Sequence, residues 1–106
     1  MLIRWRVSGN EGLNITGFIW LEDIVSKLET KHQVKTREVT DVFQGTPRFR
    51  LVEHGHRTGE DVYAALGRTH GGRFLIVFFV RKSDGRALIV SARDMTDSEW
   101  KRYERK

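Results

Sequence analysis

The chain has 106 residues, which fits one domain and leaves no room for a second hydrophobic core, so we predict a single domain over residues 1–106. Hydrophobic residues make up 39% and charged residues 31%, with no cysteine, which excludes a disordered chain, a disulfide-stabilised fold and a membrane span, and favours a cytoplasmic protein. The formal net charge is +5, which favours a nucleic-acid partner, although a merely solvated basic surface would have the same composition.

The first 17 residues are predicted to form a strand followed by a turn. Ile3, Trp5 and Val7 alternate with two arginines, which is the period-two pattern of a half-buried strand. Residues 8–12 are rich in glycine and polar residues that favour turns. The pattern leaves open whether this N-terminal extension adds an edge strand to a larger sheet or has no structural role.

Two helices are predicted between this extension and the main sheet. Helical spacing of apolar residues predicts the first helix over residues 21–32, along a stripe that consists of Leu21, Ile24, Val25, Leu28 and His32. The second begins near Thr36, a potential N-cap, carries an apolar stripe around Val42, and ends before Pro47.

From Arg48 onward an alternating pattern predicts a four-stranded antiparallel meander. Short loops rich in glycine and aspartate separate the strands, which are expected over residues 48–53, 61–68, 73–82 and 87–93. Thr96 and Glu99 then form a capping box that opens a C-terminal helix. The predicted fold class is α+β, with two N-terminal helices, the four-stranded antiparallel meander, an N-terminal strand that could join it, and the C-terminal helix.

The turn between the last two strands decides which arginines can meet. A two-residue turn would place Arg73 and Arg93 on opposite faces of the sheet. A three-residue loop over residues 83–85, with Gly85 in a left-handed conformation, would pair Leu75 with Arg93 and bring the two arginines to diagonal positions about 7–8 Å apart. We favour the second register, because it separates apolar from polar side chains more cleanly.

In that register each face of the sheet has a predicted role. One face is expected to support the helices, and it carries Phe74, Ile76, Phe78, Val80, Leu88 and Val90. The other face is expected to gather polar residues around an apolar centre, and it carries Arg73, Arg81, Ser91 and Arg93 with Leu75, Val77 and Phe79.

Taken together, the motifs of this chain resemble the BrnT family of toxin proteins. The resemblance covers about residues 18–104 and rests on an ordered series: Phe18-x-Trp20, Lys31-His32, Val39-x-x-Val42-Phe43, Arg68, Gly72-Arg73-Phe74-Leu75-x-Val77, Ser91-Ala92-Arg93-x-Met95-Thr96 and Glu99-x-x-x-Tyr103. Two features depart from the family pattern. Relatives usually have glycine where this chain has Gln33, and the first 17 residues precede the point where most members begin.

The resemblance implies a fold similar to that of RelE ribonucleases and a function as the toxin of a type II toxin–antitoxin pair. BrnT proteins cut RNA until a small DNA-binding antitoxin neutralises them, so the implied partners are an RNA substrate and a BrnA-like antitoxin. Either a homodimer or a toxin–antitoxin hetero-oligomer is compatible with the sequence. We expect no cofactor, and no metal site, because His54 and His56 lack a third ligand nearby.

Three residues are predicted to be catalytic in an attack of the ribose 2′-OH on the scissile phosphate. Arg73 and Arg93 suit charge stabilisation, because a guanidinium fork binds two phosphate oxygens, and by resemblance they occupy the positions of strand arginines in RelE-like nucleases. The alternatives are a solvated turn residue for Arg73 and an ion pair with Asp94 or Glu99 for Arg93. His32 suits proton transfer, although a histidine packed at a helix end is the commoner case.

Five further residues are predicted to bind RNA: Arg81, Lys82, Ser91, Arg102 and Tyr103. The cations of the hairpin tip and of the last helix could hold the RNA backbone, but they also suit solubility and the helix dipole. Tyr103 could stack on a base, and packing against the sheet is the stronger alternative.

The leading functional hypothesis is an endoribonuclease toxin. The alternative is a catalytically inert member of the same fold that binds RNA or a protein partner in a regulatory role. A DNA-binding module ranks last, because no helix carries basic and amide residues at the spacing of a recognition helix.

Overall fold

A five-stranded mixed sheet with helices on both faces organises the chain, and the computed structural model describes residues 3–6, 12–57 and 60–105. The elements run in the order β1 (Ile3–Arg6), β2 (Gly12–Ile15), β3 (Gly17–Ile19), α1 (Glu22–His32), α2 (Thr36–Gln44), β4 (Arg48–Glu53), β5 (Val62–Arg68), β6 (Phe74–Arg81), β7 (Arg86–Asp94) and α3 (Asp97–Glu104). The three helices and the four strands of the meander therefore lie close to their predicted bounds. None of the helices in the described ranges is long and apolar enough to cross a membrane.

The sheet contains one strand more than predicted. Its strand order is β3-β7-β6-β5-β4, and the four strands β4 to β7 pair antiparallel, as expected for a meander. The fifth strand, β3, pairs in parallel with β7, which makes the sheet mixed rather than purely antiparallel. Three residues are too few for an alternating pattern to be recognised, so this strand could not be predicted from its residue pattern.

The N-terminal extension forms a separate hairpin. The predicted first strand is present as β1, but it pairs antiparallel with β2 in a two-stranded sheet and does not join the main one. Val7 and most of the predicted turn over residues 8–12 lie outside the described residues. Leu13 and Ile15 of β2 are buried in the main core, with Ile15 only 1% exposed. The extension therefore contributes to the core.

Helices α1 and α2 pack on one face of the sheet, which we call the helical face. The core there comprises Leu28, Val34, Val39, Val42 and Phe43 against Leu75, Val77, Phe79, Ala87, Ile89 and Ala92. The prediction that the helices would cover the other face, the one with Phe78, is wrong. Because β6 is apolar on both faces, its alternation does not indicate which face lies under the helices, whereas the small Ala87 and Ala92 allow close packing on this side.

Helix α3 covers one end of the opposite face, which we call the outer face. Buried side chains there are Ala64, Leu66 and Ile76, with Phe78, Met95 and Tyr103 packed around them. The predicted capping box is confirmed: the Thr96 hydroxyl accepts the backbone N–H of Glu99 at 3.2 Å, and the Glu99 carboxylate accepts the N–H of Thr96 at 2.8 Å. The cap fixes where α3 leaves the sheet.

The loop between β6 and β7 is the three-residue loop that we favoured. The backbone N–H of Lys82 donates to the carbonyl of Arg86 at 2.8 Å, and Gly85 has a φ of +92°. A Cβ at Gly85 would also lie 2.8 Å from Cγ2 of Thr16, so the neighbouring chain leaves no space for a side chain. Both constraints explain why glycine stands at this position.

A β-bulge in β7 then shifts the register. Phe79 lies opposite Ile89 but Phe78 lies opposite Ser91, which leaves Val90 as an extra residue on the β7 side. Because side chains alternate between faces, one extra residue moves every following side chain of β7 to the face opposite the predicted one.

Candidate functional site

Arg73 and Arg93 lie on opposite sides of the sheet. Arg93 is paired with Ile76 on the outer face, because the bulge at Val90 has exchanged the faces of the last part of β7. Arg73 instead extends toward the ends of α1 and α2. The prediction that the two arginines are diagonal neighbours that clamp one phosphate is therefore wrong, and the cause is the register shift.

Arg73 connects three elements through its guanidinium group. Its Nε donates to Asp94 Oδ1 at 2.7 Å at the end of β7, and its Nη1 donates to Glu38 Oε1 at 3.2 Å in the first turn of α2. Nη1 and Nη2 also donate to the carbonyl oxygens of Gln33 and His32 at 2.6 and 2.8 Å. These carbonyls lie at the C-terminus of α1, where a helix leaves acceptors without partners. We call these five residues the Arg73 network.

The charges of this network reinforce one another. The hydrogen bond to Asp94 raises the pKa of Arg73 above its ordinary value, against the opposing effect of burial. The same hydrogen bond lowers the pKa of Asp94, and the charges of Arg73 and His32 contribute in the same direction. Both groups are therefore ionised at neutral pH, and the guanidinium is already engaged through all three nitrogens.

His32 is the last residue of α1, and it joins the network through its carbonyl and is half-buried. Its position depends on Gln33, which adopts a left-handed conformation with a φ of 51°. The N–H groups of Gln33 and Val34 donate back to the carbonyls of Glu29 and Leu28, which is the usual way that a left-handed residue closes a helix. The turn thus forms with a glutamine at a left-handed position, where glycine is the residue with the least strain.

Arg93 forms a two-pronged ion pair on the outer face. Its Nη1 and Nη2 donate to the two carboxylate oxygens of Glu99 at 2.8 and 3.0 Å, and its guanidinium lies 5.7 Å from the centre of the Phe78 ring. The hydrogen bond from Arg93 is the main cause that lowers the pKa of Glu99 to about 2. The alternative interpretation, an ion pair with Glu99, is therefore what the structure contains. Ser91 shares this face, opposite Phe78.

Two arginines that the sequence interpretation missed also lie on the outer face. Arg48 and Arg50 of β4 pair with Leu66 and Ala64, two residues buried beneath α3. They line a shallow pocket of about 70 Å³ together with Phe49, Leu66, Arg102 and Tyr103. The Arg-Phe-Arg alternation of β4 was the available signal, since a buried Phe49 requires both arginines to point the other way.

The remaining predicted RNA-binding residues fall into different environments. Arg81 lies on the helical side, where its Nε donates to the carbonyl of Asn14 at 3.1 Å and so attaches β2 to the sheet. Lys82 is half-buried at the hairpin tip, at the far end of β6 from Arg73. Tyr103 packs edge-on against Phe74 with 6.0 Å between ring centres, as its structural alternative predicted.

Comparison with known families finds a match. The model of the family described as ribonuclease toxin, BrnT, of type II toxin-antitoxin systems matches residues 20–99, which is more than half of the chain. The matched range begins after β1, β2 and β3 and includes the Arg73 network and the arginines of β4 and β7. No curated protein shows a significant match.

Proposed function

We propose, because this chain belongs to the BrnT family of ribonuclease toxins of type II toxin–antitoxin systems, that it is an endoribonuclease that cuts RNA on its outer face. One observation supports this location of the RNA site. Helix α3 extends across the outer face from Arg93, which contacts its first turn, to Arg48 and Arg50, which lie beside its last turn. A single strand of RNA that followed this path would meet arginines near both ends of the helix.

The proposed reaction needs no metal ion. O2′ of one ribose attacks the adjacent phosphorus, the P–O5′ bond breaks, and the products are a 2′,3′-cyclic phosphate and a 5′-hydroxyl. Arg93 stabilises the additional negative charge on the phosphate oxygens, and Ser91 on the same face donates a hydrogen bond to them. We keep His32 as the proposed group that gives a proton to O5′, and because it lies with Arg73 on the helical side, this role requires the leaving ribose to reach around the end of β7 at Asp94.

Other basic residues are proposed to hold the RNA backbone. Arg48, Arg50 and Arg102 surround the pocket, and we propose that the ring of Tyr103, which also lines it, stacks on a base. Lys82 extends the positive surface at the hairpin tip. For Arg73 and Arg81 we propose positioning roles instead, because their guanidinium groups are bound within the protein.

Cleavage of a labelled RNA by the purified, antitoxin-free chain tests this proposal. We expect cleavage to continue in excess chelator and to leave 2′,3′-cyclic phosphate ends. Arg93→Ala should lower kcat by about 10²–10³-fold, the usual cost of losing one group that stabilises transition-state charge. The matched control is Arg86→Ala, since Arg86 is also paired with a carboxylate, at 2.8 Å from Asp84, but at the hairpin tip.

Two results would contradict the proposal. RNA that stays intact at high protein concentration would remove the nuclease activity. Equal rates for Arg93→Ala and the wild type would leave the activity but remove Arg93 from the site.

One observation favours the second candidate function, a catalytically inert member that binds RNA or a protein. Both predicted catalytic arginines are already paired with carboxylates, Arg73 with Asp94 and Arg93 with Glu99. An inert member would bind the same RNA, lose that binding as salt is raised, and release no cyclic phosphate.

The family implies an antitoxin partner, and we propose a DNA-binding, BrnA-like antitoxin that covers the part of the outer face beyond α3. Val80, Leu88 and Val90 leave apolar surface there, and Val90 is exposed. A helix or strand of an antitoxin would bury this surface and block access to Arg93. A heterodimer or a larger toxin–antitoxin assembly would satisfy this arrangement.

A further inference from the structure

A histidine and a carboxylate form a pair that the mechanism above does not use. Asp41 lies in α2, and His70 lies in the turn between β5 and β6. Asp41 Oδ1 is 3.3 Å from Nδ1 of His70, and Asp41 Oδ2 accepts the backbone N–H of His70 at 3.1 Å. The carboxylate is 9% exposed, whereas the imidazole is 72% exposed. The buried carboxylate of Asp41 thus contacts both the backbone N–H and one ring nitrogen of His70, while the rest of the imidazole is accessible.

This geometry suits a general base. Nδ1 lies 3.3 Å from the Asp41 carboxylate, and this negative charge favours a proton on Nδ1, which leaves Nε2 with a lone pair directed away from the carboxylate. Asp41 would therefore act as a positioning residue and His70 as the group that contacts the substrate.

The space beside His70 is large enough for a nucleotide. A cleft of about 460 Å³ lies between the end of α2, the β5–β6 turn and the last turn of α3, and its lining includes Arg68, His70 and Tyr103. The Arg68 guanidinium lies 5.4 Å from the centre of the Phe74 ring. Within the described residues Arg68 forms no ion pair, so its charge is available to a phosphate.

The charged groups around His70 come from three elements. Helix α2 contributes Arg37, Glu38 and Asp41, strand β5 contributes Arg68, and α3 contributes Glu104. Asp41 alone of the three carboxylates contacts the imidazole within 4.0 Å. The cleft continues onto the outer face through Tyr103, which also lines the pocket with Arg48 and Arg50.

We propose, resting on the ribonuclease function proposed above, that His70 is the general base of the reaction and that this cleft holds the nucleotide whose 2′-OH attacks. The proton of the 2′-OH passes to Nε2 of His70, O2′ forms a bond to phosphorus, and the P–O5′ bond breaks. The leaving oxygen takes a proton from the proposed acid, His32, or from water. Arg68 binds the phosphate of the held nucleotide.

The experiment measures kcat and KM for RNA cleavage across pH 5–9 for the wild type and three variants. His70→Gln should lower kcat by about 10²-fold and remove the acidic limb of the pH–rate profile. Asp41→Asn should lower kcat with little change in KM, because the imidazole loses the carboxylate that orients it. His54→Gln is the matched control, since His54 also lies near a carboxylate, 3.7 Å from Asp61, but at the opposite end of the sheet.

A second measurement separates this inference from the proposed function. Addition of an RNA whose attacking nucleotide is 2′-deoxy, and which therefore cannot be cut, should shift the NMR signals of the His70 ring and leave those of His54 unchanged. If the wild type cuts RNA and His70→Gln keeps its kcat and its acidic limb, the role of His70 is overturned and the ribonuclease proposal stands. If the wild type cuts no RNA, the ribonuclease proposal and the catalytic role of His70 fail together. Unchanged His70 signals with bound uncut RNA would overturn the nucleotide-binding cleft in either case.

Discussion

The two arginines that the sequence marks as catalytic are both bound to carboxylates, and the difference in their surroundings separates their roles. Arg73 is 26% exposed and reaches two carboxylates and two carbonyls on α1, α2 and β7. Arg93 is 35% exposed and is held mainly by one carboxylate, Glu99, on the short helix α3. Arg93 could release Glu99 and bind a phosphate with the same hydrogen-bond donors. If Arg73 moved, hydrogen-bond acceptors on three elements would lose their partner.

Substitution of Arg73 with lysine tests its positioning role. A lysine keeps the charge but has a single ammonium, which cannot reach Asp94, Glu38 and the end of α1 together. We expect the free energy of unfolding to fall by about 2–3 kcal/mol, in line with the loss of hydrogen bonds between charged groups. Urea denaturation measures this change.

The matched control for this substitution is Arg86→Lys, because the pair of Arg86 with Asp84 is half exposed on both sides. Such exposed surface pairs contribute little to stability, so the control should change little. Equal stability of Arg73→Lys and the wild type would show that the Arg73 network does not hold the three elements together.

Glu99 predicts a specific dependence of stability on pH. Its pKa is lowered from an ordinary 4.5 to about 2, mainly by the hydrogen bond from Arg93. A lowered pKa in the folded state means that the carboxylate stabilises the fold above about pH 4.5 and that this contribution is lost as the pH falls toward 2. The substitution Glu99→Gln keeps a side chain that can complete the capping box, so it removes the charge selectively.

We expect Glu99→Gln to lower the free energy of unfolding by about 1 kcal/mol at pH 7, because the ion pair is partly open to solvent. Denaturation at a series of pH values should show the wild type and the variant converging as the pH falls from 4.5 to 2. A constant difference over that range would mean that the Glu99 charge does not contribute.

At the scale of elements, the β1–β2 hairpin lies outside the range that matches the family and still supplies core residues. Ile15 packs in the same core as residues of α1, α2 and β6. Replacing Ile15 with alanine should cost about 2–5 kcal/mol, the usual range for emptying a buried aliphatic site. Thermal or denaturant unfolding measures the loss.

The exposed Leu21 provides the control, because 49% of its surface is accessible. Leu21→Ala should stay within about 0.5 kcal/mol of the wild type. If Ile15→Ala lowered the free energy of unfolding as little as Leu21→Ala, the hairpin would not contribute to the stability of the core.

The sequence predicts well those elements that have a long repeating pattern or a specific capping motif. Helix α1 repeats its apolar residues over several turns, and α3 opens with the capping box of Thr96 and Glu99. β3 escapes prediction because three residues carry no period and its partner, β7, is distant in sequence. The choice of covered face also escapes, since β6 is apolar on both sides and only the packing of the helices decides between them.

At the scale of the whole molecule, the family can be read from the order of the motifs, whereas the site depends on which side chains the fold brings together. Arg48 and Arg50 carry no distinctive motif, and they become candidates only because β4 lies beside the last turn of α3. The pair of Asp41 and His70 spans 29 positions and joins a helix to a turn. No local pattern in the sequence could have connected them.

The bulge at Val90 also has a consequence for comparing this chain with its relatives. A homologue lacking this single residue could keep the letters Ser-Ala-Arg intact and still present the alanine, rather than the serine and the arginine, to the outer face. Residues that align in sequence would then lie on opposite faces of the sheet in the two proteins. A shared motif would therefore not guarantee a shared active site. The count of residues between the β6–β7 loop and the arginine is therefore as informative as the identity of the arginine itself.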